Sequence, residues 1–576
     1  MPWCRVRALL DEWRLALLLC VATGLAACSE TPEPTVQTPP PPPPADLVVV
    51  RADVRTVDPS LPAATAFAIR DGRFVAIGGD AEIRAFAGPS TQLIDLAGAT
   101  VLPGFVDGHT HLASGGDLIT GVDLFDVPDK ATWLARVADV VDRLAPGEWV
   151  LGGRWDYTIA EGVYPTRQDL DAVAPDNPVA LSDIDGHSLW VNTAALERAE
   201  IDARTPVPAG GEIVLDPATG EPTGILKESA GRLLARELSF REAVDATYEV
   251  LDQTLAYASS LGITSVHDMS GPETLDRYRR LADAGALDMR VWFGMFGVTE
   301  LGRAAELAET RADFDRRDPE RGPLLAFGYL KHMIDGVLST HTAVMLEPYS
   351  DRPEARGEPF YPQEALGGFV GAGNAAGFPV AIHAIGDGAV RMALDAFEAA
   401  GRRDLANRIE HIEIVTPEDL PRFAALHVAP SMQPNHATGV IGKYITERVG
   451  PERERDAYVW ADFLRADAPL ALSSDWPTSP LSPLAQLADA VLRESPHGRF
   501  DGSWHPEQAL TFAQALRAYT QGNADLSAWG DEIGSISVGK WGDFVVLDGT
   551  LPAQPTRALR ERKVAQTWLA GDRVYP

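Results

Sequence analysis

Short apolar runs alternate with helical stretches through most of the chain, and eight of them have the length and composition of buried parallel strands: residues 101–107, 263–267, 289–295, 326–333, 379–383, 408–412, 427–432 and 470–474. Parallel neighbours cannot be joined by a tight turn, so each pair needs a crossover, and a helix is the usual one. Eight such βα units predict an α/β fold of the TIM-barrel type, whose chemistry lies where the strands end. The interval from about 112 to 261 is too long for one connection and holds further strand candidates at 149–152 and 179–182. It predicts an insertion subdomain at the barrel mouth.

Both ends of the folded region have a different pattern. Leu47-Val48-Val49-Val50 is followed by β-branched and aromatic runs on either side of Asp71-Gly72, a strong hairpin signal. Similar runs recur at 543–548 and 564–568, the latter before Gly571-Asp572. Two hairpin-rich termini predict one shared small sheet.

The first 45 residues are set apart by cysteine and proline. All three cysteines, Cys4, Cys20 and Cys28, fall in the first 28 residues, so any metal site further on must use nitrogen or oxygen ligands. Arg5, Arg7 and Arg14 precede an apolar run at 15–21, and Leu25-Ala26-Ala27-Cys28 then resembles a bacterial lipobox. Residues 1–28 therefore read as a lipoprotein signal peptide, with Cys28 the lipidated first residue of the mature chain. The alternative is an ordinary secretory signal cut near Ala27. Residues 29–45, with an unbroken run from Pro39 to Pro44, predict an extended polyproline spacer. The expected location is the bacterial cell envelope, with the folded part outside the cytoplasm, in the periplasm, and membrane contact through the lipid anchor only.

Lys and Arg number 50 against 82 Asp and Glu, and the formal charge of −32 would repel a phosphate backbone. Nucleic acid is excluded as a natural partner, and a small-molecule substrate is expected instead.

The chemistry gathers at the strand ends. His109 and His111 follow the first run, and residues two apart on an extended chain project to one face. Lys331, His383, His411 and Asp475 each end a later apolar run. A buried Lys or Asp needs a charged partner or a metal to offset several kcal/mol of desolvation, roughly. Convergence at one barrel mouth would supply it.

As an ordered set these residues resemble the amidohydrolase superfamily, on the branch that includes N-substituted formamide deformylases. The likeness extends from Asp46 to Pro576 and rests on Gly-Phe-Val-Asp-Gly-His-Thr-His at 104–111, His-Ala-Ile-Gly-Asp at 383–387, Glu-His at 410–411 and Ser-Asp-Trp-Pro at 474–477. It implies a distorted (β/α)8 barrel over 101–530, and a composite β-sandwich from 46–100 and 531–576. It further implies a divalent two-metal centre bridged by carboxylated Lys331, with His109, His111 and Asp475 on one ion and His383 and His411 on the other. A hydroxide between the ions would attack an amide or related non-peptide carbon–nitrogen bond, and Asp475 would carry its proton to the leaving amine. Such ligands suit zinc, with iron or manganese as alternatives.

The Gly-His-Ser phrase at 186–188 makes His187 a candidate for polarising the scissile carbonyl. Trp155 and Asp156 are expected at the same mouth, Gln433, Asn435 and His436 near the substrate, and His267 behind the ligands. The resemblance departs at His341, where the family commonly carries an arginine. Two other readings stand beside the hydrolase. A deaminase of the same superfamily is disfavoured by Lys331, and a non-catalytic surface binding protein by retention of all six ligand candidates.

Overall fold

In the computed structural model the chain is described at residues 42–125, 127, 129–156, 164–184, 186–208, 210–234, 245–439, 441–495, 500, 502–552 and 557–576. Cys28, the leader and most of the proline-rich segment lie outside the described residues. Among those described, no helix is long and apolar enough to cross a membrane.

Eight parallel strands form the central barrel in chain order: Phe105–Thr110, Ile263–Ser270, Arg290–Phe296, Gly322–Met333, Val380–Ala384, Arg408–His411, Ala429–Met432 and Ala471–Leu472. The sheet is open between the first and last of these strands, and there a parallel bridge from Thr110 to Trp476 joins the two edges. Asp475 N donates to His109 O at 2.9 Å and His111 N to Trp476 O at 2.8 Å. Buried Asp107 reinforces the seam, accepting from Ser474 N at 3.0 Å and from the Tyr519 hydroxyl at 2.7 Å.

The single strand expected over 101–107 is two strands. Thr100–Pro103 pairs with Phe544–Leu547 outside the barrel, and only Phe105–Thr110 enters it. Gly104 stands at the change of sheet, where a Cβ would sit 2.2 Å from Thr264 Oγ1. The backbone must pass too close to the second barrel strand for any side chain there.

Both termini build a small sandwich. One sheet runs Arg73–Gly78, Ala66–Arg70, Leu47–Val50, Gln92–Asp95. The other runs Asp572–Tyr575, Val564–Leu569, Phe544–Leu547, Thr100–Pro103, Asp53–Arg55, Ala63–Ala64. The alternating apolar residues meet between them, with Phe67 edge-on to Phe74 and Phe544 at 5.3 and 5.0 Å. Asp71 and Gly72 both take positive φ, 50° and 72°, as a two-residue hairpin with this twist requires. A third sheet, of six strands between Val122 and Lys227, is built from the segment between the first two barrel strands.

Arg290, at the start of the third barrel strand, forms a buried two-pronged pair with Asp543 at 2.7 Å for each bond. Its remaining nitrogen donates to Arg321 O and Pro323 O. The pair fastens barrel to sandwich. Asp543→Ala would strand a desolvated guanidinium and is expected to destabilise the protein by about 3–5 kcal/mol, measured as a fall in the midpoint of chemical denaturation.

Candidate metal centre

The strand ends deliver their polar residues to one cavity, lined by His109, His111, Lys331, His383, His411 and Asp475 together with His187 and His436. Asp475 lies at its centre. Its Oδ1 is 3.1 Å from His109 Nε2 and 3.5 Å from His111 Nε2, while Oδ2 is 3.5 Å from His436 Nε2 and 3.9 Å from His411 Nδ1. Two trios therefore have ligand atoms within 4.8 Å of one another: His109, His111 and Asp475, and His411, His436 and Asp475. His383 stands beside His411, ring centroids 4.5 Å apart, with its Nε2 on the Gly336 carbonyl at 3.1 Å.

Local backbone geometry explains the convergence. Strand alternation that turns Arg408 and Glu410 inward would send His411 outward, but His411 has φ 75° and breaks the period. Asp475 also has a positive φ, 56°. Such conformations are uncommon for residues with side chains and concentrate at functional sites.

The electrostatics suit a cation. Burial pushes the Lys331 ammonium down to about 8, with Glu410 and Asp475 opposing, and its Nζ has no hydrogen-bond partner. Burial, reinforced by Lys331, takes His383 down to about 3, and burial takes His436 to about 4. These imidazoles are neutral and keep a lone pair available. Burial acts to raise the Asp475 carboxyl, but His109, His111 and His411 together outweigh it and hold the group well below the usual range. An anionic carboxylate, a cluster of histidines with His383, His411 and His436 held neutral, and an unpartnered buried lysine form a donor set that fits divalent ions.

The remaining candidates divide. His187 lines the cavity, its Nδ1 3.0 Å from Glu228 Oε2 and its loop shaped by Asp183, which accepts from the backbone of His187 and Ser188. Of the three candidates after the seventh strand, Gln433, Asn435 and His436, only His436 lines the cavity. Gln433 contacts His411 Nδ1 through Oε1 at 2.9 Å and donates to Ser473. Asn435 does not reach the cavity, because its amide donates to Asp489 at 2.8 Å. Trp155 is also displaced from its expected place at the mouth. Its ring packs in the core of the third sheet, 6.2 Å from Trp190, and its indole N–H donates to Leu181 O. An aromatic residue on a half-apolar strand is drawn to the local core. Asp156 is buried next to it, outside the cavity lining. His341 faces Asp351 at 3.0 Å, and Arg448 reaches the same carboxylate and the carbonyls of Leu338 and Ser339.

Glu410 had no role assigned from sequence. It is buried with Oε2 2.8 Å from His109 Nδ1 and Oε1 2.6 Å from Arg408 Nε. The signal was present in the period-two spacing of Arg408 and Glu410, which puts opposite charges on one inward face.

A barrel with its ligand candidates at the strand ends defines a metal-dependent hydrolase of the TIM-barrel class. Residues 92–575 match the amidohydrolase family, and the chain belongs to that family. It is 34% identical over 557 residues to Protein LONG AFTER FAR-RED 3 of Arabidopsis thaliana, covering 94% of this chain and 93% of that one. It is 32% identical over 548 residues to N-substituted formamide deformylase of Arthrobacter pascens, covering 91% and 97%. Among solved structures, an uncharacterized metal-dependent hydrolase from Pyrococcus horikoshii OT3 superposes with a TM-score of 0.71 at 27% identity, covering 87% of this chain and 97% of that one.

Trp155→Phe keeps an aromatic side chain but loses the fused pyrrole ring and takes the indole donor from the Leu181 carbonyl. It is expected to cost about 1–3 kcal/mol of stability in denaturant titration, with kcat/KM of the folded fraction unchanged.

Proposed function

We propose that the chain hydrolyses an amide or related non-peptide carbon–nitrogen bond, using two divalent ions, zinc by preference, bridged by carboxylated Lys331. The observation that carries this reading is the unpartnered Lys331 Nζ, buried in the same cavity as His109, His111, His383, His411 and Asp475. Lowered to about 8, the Lys331 ammonium gives up its proton far more readily than a free lysine, and the neutral amine can add to carbon dioxide to give a carbamate that exchanges a cation for an anionic oxygen donor. His109, His111 and Asp475 would hold one ion, and His383 and His411 the other, with His436 within reach of the second. When bound, the ions supply Lewis-acid activation of water.

The protein's own part is positioning and proton transfer. Asp475, held ionised, accepts a proton from the attacking water and passes it to the departing amine. His187, steadied by Glu228, is placed to polarise the carbonyl. Phe296, Met333, Val337, Leu338, Ile385 and Ile445 form an apolar wall, which supports an amide carrying an apolar substituent. The relative named N-substituted formamide deformylase points to the same bond type. The lipobox-like sequence supports anchoring at Cys28 with the enzyme facing the periplasm; Cys28→Ser is expected to move it from the membrane fraction to the soluble fraction.

Elemental analysis of the purified chain is expected to give about two divalent ions, falling to one or fewer in Lys331→Ala. Unchanged occupancy would remove the bridging role. His187→Ala is expected to lower kcat by about 100-fold or more with metal content intact, measured on a panel of N-substituted amides.

A further inference from the structure

Beneath the ligand candidates lies a second set of buried charges. Arg408 and Glu410 occupy alternate positions on the sixth barrel strand, with Arg408 Nε 2.6 Å from Glu410 Oε1 and Glu410 Oε2 2.8 Å from His109 Nδ1. Arg408 is fixed from its other side. Its Nη1 donates to His267 Nδ1 at 2.7 Å, and its guanidinium carbon stands 4.3 Å from the centroid of the Tyr329 ring. All of these groups are buried.

The donor and acceptor inventory fixes what His109 Nδ1 and His267 Nδ1 must do. An ionised carboxylate only accepts, so a His109 that faces Glu410 through Nδ1 carries a proton there; Nε2, on the cavity side 3.1 Å from Asp475, is then the nitrogen that a divalent ion would take in exchange for its proton. A guanidinium only donates, so His267 Nδ1 must accept, and the neutral ring holds Arg408 without competing for Glu410.

We propose that Arg408 and Glu410 are a positioning pair for the metal centre, fixing the tautomer and ring orientation of His109 so that Nε2 serves as the ligand atom, with His267 locking Arg408 in place. This rests on the metal-hydrolase reading above. It separates the pair from Arg290–Asp543, a buried ion pair whose contacts fasten barrel to sandwich.

The test is zinc affinity of the full chain, by competition with a chromophoric chelator, for wild type and for Glu410→Ala, Glu410→Gln and Asp543→Asn, with thermal melting in parallel. Glu410→Ala is expected to weaken zinc binding about 10- to 100-fold. Glu410→Gln keeps an acceptor oxygen and is expected to bind more tightly than Glu410→Ala, whereas Asp543→Asn lowers the melting temperature and leaves zinc affinity unchanged. Wild-type affinity in Glu410→Ala, or equal weakening in Asp543→Asn, overturns the positioning role. If Glu410→Ala does not fold, Glu410→Gln against Asp543→Asn decides: zinc affinity no weaker than that of Asp543→Asn overturns the role. A wild-type chain that binds no zinc, nor any other divalent ion by elemental analysis, instead overturns the metal-centre reading itself.

Discussion

The seam between the first and eighth barrel strands is the constraint from which the rest of the site follows. The backbone bonds that close it, Asp475 N to His109 O and His111 N to Trp476 O, are made by ligand candidates themselves. The same contacts that turn an open sheet into a barrel therefore bring one carboxylate between histidines more than 360 residues away in the chain. Asp107 ties the seam a second time through Ser474 and Tyr519. A register slip there would dismantle fold and site together, because side chains on a strand exchange faces with every residue of shift.

Such a cluster is expensive to bury. The left-handed conformations of His411 and Asp475 add about 1–3 kcal/mol each, and a lysine amine without a partner forfeits its hydration. Part of the charge is balanced within the protein. Burial works against an ionised Glu410, but Arg408 and then His109 hold its carboxyl well below the ordinary range. Lys331 has no comparable contact, and its amine is driven toward the neutral form. The cavity thus gathers nitrogen and oxygen donors around the Asp475 carboxylate.

How much of this could be read beforehand follows from the range of each signal. The barrel strands are legible because an apolar run of four to eight residues is a local pattern, and His109-x-His111 needs only strand periodicity. The split at Gly104 was not legible, since the residue that makes it necessary is Thr264, on another strand. Trp155 was misplaced for a related reason. Its strand borders both a core and a mouth, and only distant partners, Trp133 on the helix Lys130–Val141 and Trp190 two strands away in the same sheet, decide which side takes the indole. His411 was found through its Glu-His phrase although its geometry violates strand alternation, and Glu410 was overlooked although alternation would have exposed it. The position of His187 in the cavity depends on strand pairings across the third sheet that no local window contains.

These contributions divide the cavity into parts with different freedom to change. Its floor is made by barrel strands whose register is fixed by the seam, so a substitution there disturbs folding and metal ligation at once. Its walls come from segments beyond the strands: Val337 to Ser339, Tyr444 and Ile445, and the His187 loop of the third sheet. Arg448 joins two of these walls through the Leu338 and Ser339 carbonyls, while Asp351, which it also reaches, faces His341. The replacement of the expected arginine by His341 therefore falls among the wall supports and leaves the floor intact. A chain of this construction can alter which substituent it accepts by remodelling loops around an unchanged reaction centre, because the wall contacts do not carry the barrel's closure.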